Sequence, residues 1–125
     1  MKYLLDTNIL LMFILDDDRL NSLHRDIIMS EQNRIFTSIA SYWEIGIKHS
    51  LGKLELSVSL AELFDIIENK TGIETVPVKK EHILKLTSLP YLHRDPFDRL
   101  IYVQSIIEEM KFLYTDTIFD KYKIQ

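Results

Sequence analysis

Five carboxylates stand where a chain could do chemistry: Asp6 in "LLDTN", Glu44 in "SIASYWEIGIKHSLGKL", Asp95 and Asp98 in "HRDPFDRL", and Asp116 in "LYTDT". Carboxylates pressed together repel, and some must take up protons unless a cation lies between them. A hard divalent ion such as Mg²⁺ takes oxygen ligands, keeps several waters and needs few carboxylates besides a substrate phosphate. Two such ions about 4 Å apart can activate water and steady the leaving oxygen in phosphodiester cleavage. Bound metal also turns an acidic pocket into a receptor for phosphate.

Each acid, taken alone, has a plainer explanation. Asp6, Thr7 or Asn8 can cap a following helix. Asp95 before Pro96 makes a strong helix start, and Asp98 in the first turn suits the helix dipole. Asp116 can close a turn. Glu44 can pair with Lys48 one turn on, a contact worth only ~0.3 kcal/mol. At about 3.6 residues per turn, however, Glu44 falls on the same stripe as Ala40, Trp43, Ile47 and Leu51. So weak a pair does not offset a carboxylate set against the core, and a functional role is favoured there.

The elements that must position these acids alternate in type. Residues 2–5, 34–37, 73–78 and 111–115 read as strands, and residues 122–125 as a last, truncated one. Between them lie helical patterns: one beginning over residues 9–15, then 20–31, 38–51, 59–71, 80–88 and 96–110. Ser38 suits an N-cap, and Gly52 and Gly72 suit helix stops. Strands alternating with helices predict an α/β fold with a parallel sheet covered on both faces. Ligands in such sheets gather beyond the carboxyl ends of the strands, where Asp6 and Asp116 both fall. Asp6, Glu44, the start of the helix at 96 and Asp116 can meet at that edge.

Composition narrows the choices. The chain has 125 residues, 46% hydrophobic and 27% charged, which suits a single globular domain over 1–125. There is no cysteine, so disulfides and thiolate metal sites are excluded and a cytoplasmic setting is expected. The apolar run at 9–15 is too short to cross a membrane. A net charge of −4 argues against a simple basic nucleic-acid binder. The three glycines are too dispersed for a dinucleotide or Walker loop. No G-x-S-x-G elbow and no H-E-x-x-H pair occurs.

Taken together, these stretches give the chain a resemblance to PIN-domain ribonucleases, specifically VapC-like toxins of type II toxin–antitoxin systems. It covers nearly the whole chain and rests on "LLDTN", "SIASYWEIGIKHSLGKL", "LPYLHRDPFDRL" and, more weakly, "LYTDTIFDKY". The resemblance implies a three-layer α/β/α fold around a parallel sheet of four to five strands. It implies a Mg²⁺- or Mn²⁺-dependent endoribonuclease with Asp6, Glu44, Asp98 and Asp116 as metal-binding catalytic acids. Asn8, Ser41 and Asp95 match supporting positions. A cognate antitoxin, an RNA substrate and a homodimer are the implied partners, with no membrane. Lys48, Arg94 and Arg99 are candidate phosphate contacts, and each also reads as an ordinary salt-bridge partner.

Two departures stand out. Relatives commonly have one residue between the threonine and the fourth acid, whereas Thr115 and Asp116 are adjacent. The sequence ends at Gln125, so a fifth strand is expected to be short or absent. Two rival functions follow from the same residues. A haloacid-dehalogenase-type phosphatase also places aspartate after its first strand but wants a second acid two residues on, where this chain has Asn8. A weakly active PIN-like binding module is the other.

Overall fold

A computed structural model of the chain describes residues 1–91 and 95–123. Four strands form the sheet: β1 (Lys2–Leu5), β2 (Arg34–Ser38), β3 (Glu74–Val76) and β4 (Lys111–Leu113). They lie in the order β3-β2-β1-β4, and every pairing is parallel. The helices between them are α1 (Thr7–Ile14), α2 (Ser22–Met29), α3 (Ile39–Ser50), α4 (Leu60–Asn69), α5 (Lys80–Ser88) and α6 (Pro96–Ile107). A 3₁₀ turn (Thr117–Phe119) and α7 (Asp120–Lys123) follow β4.

Register explains the layers. Leu4 pairs with Phe36 on one side and Phe112 on the other. These three share the face that packs against Ala40, Val76 and Ile101. Leu5, opposite Leu113, points the other way, into a core with Ile35, Ile9, Leu10, Ile45, Leu63 and Ile67. Both faces of the sheet are therefore apolar and covered, the expected state of parallel strands and the reason "LL" and "FL" read as continuous apolar pairs. No helix among the described residues is long and apolar enough to cross a membrane.

The differences from the sequence reading are local and have causes. Helix α1 begins two residues early, because Asp6 caps it by accepting the Ile9 N–H at 2.7 Å. Helix α6 stops at Ile107, followed by Glu109 in left-handed backbone at φ 56°. Strand β4 ends at Leu113, and the Thr115 N–H goes to the Asp6 side chain. The expected strand at 122–125 is corrected: Tyr122 and Lys123 lie in α7, and 124–125 lie outside the described residues. The stripe assigned to α3 is corrected too. Trp43 is 67% exposed and Leu51 62% exposed, while Ala40, Ser41, Glu44 and Ile45 are buried.

Candidate active site

The acids reach one end of the sheet by separate routes. The Asp6 backbone N–H donates to the Leu113 carbonyl at 2.9 Å, so the β1–β4 ladder runs on by one rung and leaves Asp6 at the carboxyl edge. Asp6 is only 3% exposed. Its Oδ1 caps α1, and its Oδ2 accepts the Thr115 N–H at 2.9 Å and the Thr115 hydroxyl at 3.3 Å. Burial raises its pKa above the usual 3.8, opposed by those hydrogen bonds and assisted by the negative charge of Glu44.

Glu44 comes from α3, whose start is fixed by Ser38 accepting the Ala40 N–H at 3.0 Å. Its Oε2 meets the Lys48 ammonium at 3.2 Å. Its Oε1 is buried without a hydrogen-bond partner among the described residues. Asp98 comes from the first turn of α6, started by Asp95, whose Oδ1 accepts the N–H groups of Phe97 at 2.9 Å and Asp98 at 3.2 Å. Trp43 and Phe97, each one residue before an acid, meet edge to face at 5.1 Å and bring α3 against α6.

Asp98 is where the set converges. Its carboxyl is pushed up from 3.8 to about 7, first by burial and then by the negative charges of Asp95, Glu44, Asp6 and Asp116. Asp116 is exposed and closes the 3₁₀ turn by accepting the Ile118 N–H at 3.0 Å. Its plain reading as a cap therefore holds, alongside its contribution to the field at Asp98.

The expected supporting residues act through intermediaries. Ser41 does not touch a carboxylate in the described hydrogen bonds; its hydroxyl lies 2.9 Å from that of Thr7, pinning α3 to α1. Asn8 donates to the Thr115 hydroxyl at 3.3 Å, and Thr115 in turn holds Asp6. Thr115 is the residue that sequence reasoning passed over as a holder of the site. Its signal was a hydroxyl directly beyond the strand that pairs with β1. Of the candidate phosphate contacts, Lys48 is engaged by Glu44, and Arg99 is buried with its Nη2 3.4 Å from the Leu89 carbonyl. Arg94 lies outside the described residues.

The donor set fits a hard divalent cation. It is all carboxylate oxygen, one oxygen is buried without a donor among the described residues, and one carboxyl is pushed up to about 7 by burial and then by its like-charged neighbours. Among the described residues no three of these acids bring ligand atoms within 4.8 Å of one another, whereas Glu81, His82 and Glu108 do. That spacing suits an ion held by one or two carboxylates with water completing its shell. The other trio belongs to packing. His82 is fully buried, its Nδ1 accepts the Lys79 N–H at 3.0 Å, and its Nε2 lies 3.1 Å from Glu108. Both ring nitrogens are thereby occupied. A groove of about 370 Å³ opens beside Asn8 and Thr115 and runs along Leu11, Met12, Leu15 and Leu54 to Asp17 and Arg19.

The PIN domain model matches residues 3–125 of the chain. The chain belongs to the PIN domain family, a family of nucleases. It is also similar in fold to a chain in the crystal structure of VapBC2 from Rickettsia felis bound to a DNA fragment from their promoter. That likeness has a TM-score of 0.71 and 19% identity over 98% of this chain and 93% of the other. No curated protein matches the sequence.

Proposed function

We propose that the protein is a Mg²⁺- or Mn²⁺-dependent endoribonuclease that acts as the toxin of a toxin–antitoxin pair in the cytoplasm. The observation that carries the nuclease reading is the Asp98 carboxyl, pushed up to about 7 first by burial and then by the negative charges of Asp95, Glu44, Asp6 and Asp116. Capping accounts for Asp6, Asp95 and Asp116 one at a time, but not for setting the carboxyls of Asp98 and Glu44 among them, and an enzyme that binds divalent ions has a use for that grouping. The toxin reading rests on family membership and on the likeness to the VapBC2 complex. It brings a cognate antitoxin and a second copy of this chain as partners.

Asp6 and Asp98 would hold the principal ion, with Glu44 beside them and Asp116 at the outer rim. When bound, the metal supplies Lewis acidity and lowers the pKa of a coordinated water. The chain itself contributes positioning. Thr115 and the α1 N-terminus favour the Asp6 carboxylate and oppose the rise in pKa that burial causes. The Asp95 cap fixes the first turn of α6 and so the direction of Asp98. Glu44 presents Oε1 from a helix whose Ser41 is bonded to α1.

The test is incubation with mixed single-stranded RNA and Mn²⁺, with and without chelator, beside Asp6→Asn. Chelator-sensitive cutting by the wild type and none by the variant is expected. Equal cutting by both would remove the assignment.

A further inference from the structure

Among the described residues, Tyr91 is the most exposed of the large apolar and aromatic side chains, at 73%. It is nonetheless held in place. The Arg99 guanidinium lies over its ring, 4.0 Å from the centroid. Arg99 also reaches the Leu89 carbonyl at 3.4 Å, and the Tyr122 hydroxyl donates to the Pro90 carbonyl at 2.9 Å. Two other elements thus anchor the residues just before Tyr91. One ring face lies on the guanidinium, and among the described residues the other carries no ring or cation contact.

The cation beneath is also unusual. Arg99 is only 7% exposed, and its buried Nε has no acceptor among the described residues. Leaving a buried polar group unpaired is costly. The position of that charge is informative, because Arg99 directly follows Asp98 in the first turns of α6. The exposed ring is therefore tied to the helix that delivers the most perturbed acid. The net charge is −4 and Lys48 is already paired to Glu44, so a surplus of positive charge is not what this chain offers a polyanion. Stacking of bases on aromatic rings needs no surplus charge and suits single strands, and arginine beneath the ring strengthens it.

We propose that Tyr91, seated on Arg99, is a stacking platform for a nucleobase that flanks the bond cut in single-stranded RNA. This rests on the ribonuclease reading above. Tyr91 contacts the base, and Arg99 is a positioning residue that acts through it.

The experiment uses a single-stranded RNA oligonucleotide with 2-aminopurine at alternating positions, bound in chelator so that no cutting occurs, and then cut with Mn²⁺. Stacking on wild-type protein quenches the fluorescence. Tyr91→Ala should lose that quench, weaken binding roughly tenfold and raise KM with little change in kcat. Tyr91→Phe should behave as wild type, since the ring and not the hydroxyl does the stacking. Wild-type cutting together with unchanged quench and KM in Tyr91→Ala overturns this proposal alone, as does a Tyr91→Phe variant that fails equally. If the wild type neither binds nor cuts the RNA, the ribonuclease reading itself falls.

Discussion

Thr115 holds Asp6 across a sequence separation of 109 residues, with its backbone N–H 2.9 Å and its hydroxyl 3.3 Å from Asp6 Oδ2. The two residues stand at the carboxyl ends of neighbouring parallel strands, so their closeness follows from the β1–β4 register. Asp6 is buried, and these bonds keep its carboxylate form from becoming still less favourable.

Thr115→Val should retain the backbone bond and lose the hydroxyl. The Asp6 pKa then moves further up, and the acid limb of the pH–rate profile shifts to higher pH. Residues that support a metal ligand typically cost about 10–100-fold in affinity or activity when lost. A loss in that range is expected, with recovery in Thr115→Ser. An unchanged profile in the valine variant would separate Thr115 from the site.

Asp98 makes the fold sensitive to pH in metal-free protein. Its folded pKa of about 7 lies above the usual 3.8, so the folded state binds the proton more tightly. The stability this contributes is fully present below 3.8 and is lost as pH rises through about 7. Asp98→Asn removes that loss. In chelator at pH 8 its melting temperature should equal or exceed that of the wild type by a few degrees, a shift that solvent screening keeps small. A clear drop in melting temperature would make the carboxylate a helix-dipole residue instead.

Glu44 separates pairing from catalysis. Its contact with Lys48 is an i,i+4 pair on a helix, worth about 0.2–0.5 kcal/mol on its own. Glu44→Gln should therefore alter metal-free stability by about 1 kcal/mol or less, while RNA cutting falls about a hundredfold, measured by urea melts and by turnover. A variant that loses stability and keeps full turnover would confine Glu44 to the pair.

His82, Glu81 and Glu108 form the tightest potential ligand group among the described residues, and its expected behaviour is the opposite. His82→Ala should cost about 2–4 kcal/mol through a cavity and unpaired neighbours, with turnover per folded molecule unchanged. Denaturant melts and active-fraction-corrected rates check this. Lost Mn²⁺ binding in a folded His82→Ala protein would mark a second metal site.

The sheet was legible because each strand carries its own signature. Leu4–Leu5 and Phe112–Leu113 are double-faced apolar pairs, and that pattern predicts parallel strands buried on both sides. The helix starts at Ser38 and Asp95 were equally plain, because capping is chemistry between near neighbours. What the sequence concealed depends on contacts between distant residues. Trp43 fitted a core stripe by spacing, yet it lies outside and meets Phe97. The burial of Glu44 was anticipated from that stripe, but of its members only Ala40 is buried with it, and Ser41, Tyr42 and Ile45 complete the buried face. Arg99 read as a candidate phosphate contact or an ordinary salt-bridge partner, and only the path of residues 89–91 reveals its ring and carbonyl partners. The strand expected at 122–125 failed because "FDKY" continues a 3₁₀ turn into a helix packed on an aromatic cluster with Tyr102.

The central claim is that Asp6 at the end of β1 and Asp98 in the first turn of α6 hold a divalent ion. Titration of the chelator-stripped protein with Mn²⁺, followed by calorimetry or by the spectrum of the free ion, tests it most directly. Binding by the wild type is expected, weakened in Asp6→Asn and in Asp98→Asn by at least the ~10–100-fold that loss of a supporting residue costs. Equal Mn²⁺ affinity in the wild type and both variants would contradict it.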